Sequence, residues 1–66
     1  MQVELQIPTR PQLADRVYCA AMLELRAAHL LERAAHFRGV NFPEGANADE
    51  RDARVLSSVA TWLRLP

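Results

Sequence analysis

Between Pro11 and Arg38 the chain runs PQLADRVYCAAMLELRAAHLLERAAHFR without an internal glycine or proline. Such a stretch is a single helix, roughly 42 Å long at about 1.5 Å per residue. In a chain of 66 residues a helix of that length cannot be covered by what remains. The fold therefore depends on what packs against it.

The sequence predicts an all-α chain, an antiparallel two-helix hairpin that forms one domain. An N-terminal arm, extended or β, occupies 1–8, the long helix 9–38, a loop 39–47 and a second helix 48–65. In the arm, Val3, Leu5 and Ile7 alternate with Gln2, Glu4 and Gln6, the period of a half-buried strand. No second strand is legible in the chain, so a strand here needs its edge filled by another copy or a partner; the alternative is an arm draped over the helices. Thr9 with Gln12 matches a capping box, and Pro11 suits the first helical position. Gly39 is the expected left-handed cap, Pro43-Glu44-Gly45 the expected turn, and Asn47 with Glu50 the expected capping pair of the second helix.

On the long helix Leu13, Val17, Ala20, Ala27, Leu31 and Ala34 form one apolar stripe, flanked by Ala21, Ala28, Ala35, Leu23 and Leu30. A second stripe, Tyr18, Met22, Leu25, His29, Glu32 and His36, lies on the far side and is apolar only in its first half. Burial from two directions is implied. The tetrad Arg26-Ala27-Ala28-His29 recurs seven residues later as Arg33-Ala34-Ala35-His36, a spacing that favours coiled-coil-like packing. On the second helix Val55, Leu56, Val59, Trp62 and Leu63 make a single apolar face. Eighteen residues span roughly 27 Å, which leaves about 15 Å of the first helix bare near its amino end. The sequence thus predicts a homodimer closing into a four-helix bundle, with Leu13, Val17, Tyr18, Ala21, Met22, Glu24 and Leu25 as the dimer or partner surface.

Small size strengthens this expectation, because cores of such chains rarely contribute more than about 3–5 kcal/mol. Cys19 is the only cysteine, so no intrachain disulfide can assist. It is expected to pack as a small buried hydrophobe. Glu24, with alanines at the neighbouring turn positions, needs an arginine or another donor from a second helix, or exposure at a bundle edge. His29, Glu32 and His36 share a face, but His29 and His36 lie roughly 10.5 Å apart along the axis, too far to grip one ion. Glu32 with either histidine can supply half a metal site, to be completed by a second copy, which makes a metal-binding helical bundle a third functional reading. Ser57 and Ser58 have no His and Asp nearby in sequence, and the two glycines cannot make a phosphate loop. No cofactor is expected, and no enzyme activity.

Eight basic residues balance eight acidic ones, so no net field draws in nucleic acid or an anionic membrane. The early Glu4 and the lack of an apolar run argue against a signal peptide, and Glu24, Arg26 and His29 interrupt the most apolar stretch. A cytoplasmic protein is expected. The segment VELQIPTRPQLADRV resembles the strand and first-helix entry of the ribbon-helix-helix repressors. By that resemblance Gln2, Glu4 and Gln6 face DNA bases. Against it, the first helix is about twice that family's length, Glu4 opposes phosphates and net charge is zero. The favoured function is a small non-enzymatic interaction or regulatory module that binds itself and another protein.

Overall fold

The computed structural model describes residues 12–66. It contains two helices packed against each other, α1 over Leu13–Gly39 and α2 over Pro43–Arg64. They run antiparallel: Arg38 bonds Glu50 at the closed end, while Glu24 pairs with Arg64 and Arg16 reaches Leu65 at the open end. The expected arm, Thr9 of the expected capping box and Pro11 of the expected helix start lie outside the described residues. Gln12 is extended and serves as the N-cap without a side-chain bond, and α1 begins at Leu13. Asp15 in the first turn and His36 and Arg38 in the last match the helix dipole.

The connection is tighter than the sequence suggests. Gly39 is helical and takes no positive φ; Asn41 adopts the left-handed conformation instead, at φ 60°. Asparagine tolerates that region better than other side-chain-bearing residues. The Phe42 amide donates to the Phe37 carbonyl at 2.7 Å and the Asn41 amide to that of Arg38 at 3.2 Å. These are the two bonds of a Schellman cap. Its customary apolar contact is present as an edge-to-face pair of Phe37 and Phe42, with ring centroids 5.2 Å apart.

Phe42 is also the N-cap of α2, and Pro43 follows in the first turn, where a missing amide costs nothing. The expected turn Pro43-Glu44-Gly45 is therefore the first turn of α2, and Asn47 caps nothing. Gly45 is required for space rather than for a bend. A Cβ there would lie 2.6 Å from the Phe42 ring and 2.9 Å from that of Phe37.

Ala20, Ala27, Leu30 and Ala34 of α1 are buried against Ala46, Asp49, Ala53 and Ala60 of α2. Leu23, Phe37, Leu56 and Leu63 are half-buried beside them. Both helices thus bring alanine to the seam every seventh residue, with larger side chains three positions on. Small side chains permit an interaxial distance at the low end of the usual ~8–10 Å. The expected stripe is corrected in part: the alanine column is right, but Leu13, Val17 and Leu31 are exposed. On α2 only Leu56 and Leu63 turn inward, while Val55, Val59 and Trp62 face solvent. Close approach along the alanines leaves no room between the helices for the branched and aromatic residues. With 22 residues, α2 reaches the level of Arg16, whose Nη1 donates to the Leu65 carbonyl at 3.0 Å. The expected 15 Å overhang is absent among the described residues.

Candidate functional site

Helix geometry divides the seven residues expected at an interface. Tyr18, Ala21 and Leu25 lie on the back of α1, opposite the α2 seam, with Met22 at their edge. Leu13 continues the alanine column past the end of α2. Val17 and Glu24 occupy the flank beside α2. All seven are exposed, Tyr18 at 68% and Met22 and Leu25 at 51% each. Glu24 is not buried; it stands at the edge of the hairpin and pairs with Arg64, an interhelical salt bridge within the chain. Cys19 is exposed too, on the flank opposite Glu24.

Three polar clamps fix the register of the two helices. The strongest joins Arg33 to Asp49, a residue 4% exposed whose carboxylate accepts two bonds from one guanidinium: Nε at 2.7 Å and Nη2 at 2.8 Å. The Arg33 guanidinium carbon also lies 5.6 Å from the Phe37 ring centre. Hydrogen bonding from Arg33 holds the Asp49 carboxyl below its ordinary range, against the opposing effect of burial, with help from the charges of Arg33 and Arg26. The Arg33 guanidinium is held above its ordinary range by the same bonds. Arg38 donates from Nε to Glu50 at 2.9 Å and from Nη2 to Asn47 at 3.1 Å. Glu24 with Arg64 is the third.

The pairing of Arg33 with Asp49 was not anticipated from the sequence. Its signal is its place seven residues before Leu56 and fourteen before Leu63, in the seam column.

Grooves run along both sides of the seam. One, of about 380 Å³, is lined by Arg26, Leu30, Arg33, Asp52, Val55 and Leu56. The other, of about 350 Å³, is lined by Leu31, Ala53, Arg54, Ser57 and Ser58. Both are shallow and open to solvent. His29, Glu32 and His36 are exposed on α1, and among the described residues no group of three or more His, Cys, Asp or Glu side chains could hold a metal ion. Cys19 and His29 lie on one helix about 15 Å apart along its axis, too far for a nucleophile and its base. No described helix is long and apolar enough to cross a membrane.

Comparisons with protein-family models, with curated proteins and with solved structures find no match.

Proposed function

We propose that this protein is a small non-enzymatic interaction module that works as a homodimeric helical hairpin and presents its remaining apolar surface to another protein. One observation carries the reading. Among the described residues, twelve large apolar side chains are exposed, whereas Leu30 is the only large one buried. Buried alanine removes about one methyl group from water, ~0.8 kcal/mol, against ~1.5–3 kcal/mol for a buried leucine or valine. A hairpin held by alanines gains little from its own core. The apolar residues that could have filled it instead point outward from both helices, Tyr18, Met22 and Leu25 from α1 and Val55, Val59 and Trp62 from α2. This number of exposed large apolar side chains supports an interaction surface.

The expected result is a particle of twice the 7.4 kDa chain mass in light scattering after gel filtration at micromolar concentration. A particle of single-chain mass overturns the homodimer.

A further inference from the structure

Resting on the homodimer proposed above, we infer that its interface is an antiparallel pairing of α1 with α1 of a second copy, through the helix back and centred on Leu25. The back of α1 carries Tyr18, Leu25 and Glu32 in one column, all exposed. A two-fold axis at Leu25 sets Leu25 against its own counterpart and Tyr18 against Glu32 of the second copy, so that the phenol O–H donates to a carboxylate. On one flank it sets Asp15 level with His36, a carboxylate opposite an imidazole whose N–H can donate to it. The same centre therefore satisfies the column and the flank.

Direction follows from charge. Parallel pairing through this column places Glu32 against Glu32, two carboxylates across a drying interface, and a like-charge contact of that kind is unfavourable. Antiparallel pairing removes it. Between Asp15 and His36 the contact runs about 31 Å along the axis, long enough to engage the length of α1 that α2 covers on the other side. Close approach is allowed on the second flank, where Ala21 meets Ala28. The long helix is then enclosed from opposite sides: α2 on its inner face, the second α1 on its back.

The test places single cysteines in a Cys19→Ser background and oxidises mildly at micromolar concentration. Across a closely packed seam, Leu25→Cys sits within the ~7 Å Cα separation that a disulfide tolerates, and it crosslinks at least about tenfold faster than Val55→Cys on α2. A mixture of isotopically labelled Ala21→Cys and unlabelled Ala28→Cys chains gives predominantly mixed disulfides. Sedimentation of each reduced variant gives its oligomeric state, and circular dichroism its helix content. A dimer in which Val55→Cys crosslinks and Leu25→Cys does not overturns this seam while leaving the homodimer standing. Ala21→Cys crosslinking to itself rather than to Ala28→Cys overturns the antiparallel direction. A monomer at all concentrations overturns both the homodimer and the seam.

Discussion

The inner face and the back of α1 are built from similar materials and treated differently. On the inner face, alanines at 20, 27 and 34 alternate with Leu23, Leu30 and Phe37, and every one of these is buried or half-buried by α2. On the back and its flank, Ala21, Ala28 and Ala35 stand beside Tyr18, Leu25 and Glu32, and all are exposed. Composition alone does not separate the faces. The complementary columns of α2 do: Ala46, Ala53 and Ala60, with Asp49, Leu56 and Leu63, match the inner face in spacing and add the Arg33–Asp49 clamp. No described residue of α2 covers the back, and the seam proposed above covers it with α1 of a second copy.

The largest way to break the contrast is a charge on each face. Leu30→Asp puts a carboxylate in place of a buried leucine of the seam and is expected to abolish the helical circular dichroism signal. Leu25→Arg on the back sets like charges across the two-fold axis and is expected to dissociate the dimer in sedimentation; a variant that stays dimeric contradicts the assignment. A milder test enlarges an alanine on each face. Ala27→Leu overpacks the seam and is expected to destabilise the hairpin by about 1–3 kcal/mol in urea unfolding. Ala35→Leu, near the end of the back, is expected to leave the monomer's hairpin unchanged.

Two smaller effects sharpen the account at the closed end. Gly45→Ala forces the Phe37 and Phe42 rings aside, and a loss of about 1 kcal/mol is expected, read as a Tm lowered by several degrees. Asp49→Asn tests the clamp through pH. Because the folded-state pKa of Asp49 is depressed, its contribution is complete above the unfolded carboxylate range, near pH ~4, and disappears as pH falls through the lower folded value. Wild type is expected to be the more stable at pH 7, with the gap closing below pH ~4. A gap independent of pH means that Asp49 acts by shape and not by charge.

Much of this fold was legible in the residues. The long helix, its antiparallel partner and the Ala20, Ala27, Ala34 column follow from uninterrupted helix formers and seven-residue spacing. For Glu24 the sequence left open an arginine or another donor from a second helix, or exposure at a bundle edge; the structure pairs it with Arg64 of α2 and leaves the carboxylate exposed. The connection misled because Pro43 and Gly45 are turn formers by composition but serve here as a helix start and as room for two aromatic rings. The α2 seam misled because large apolar residues usually mark the buried side, whereas here the alanines do, and Val55, Val59 and Trp62 are displaced outward. The expected interface residues are a mixture of back, flank and helix end, a division visible only once the direction of α2 is known.

Sedimentation equilibrium of the unmodified protein from about 1 to 100 µM, a span that brackets the affinities of ordinary dimers, reads the homodimer directly. A mass of twice 7.4 kDa, falling toward the single chain in Leu25→Arg, is the predicted result. A single-chain mass across the whole range contradicts it.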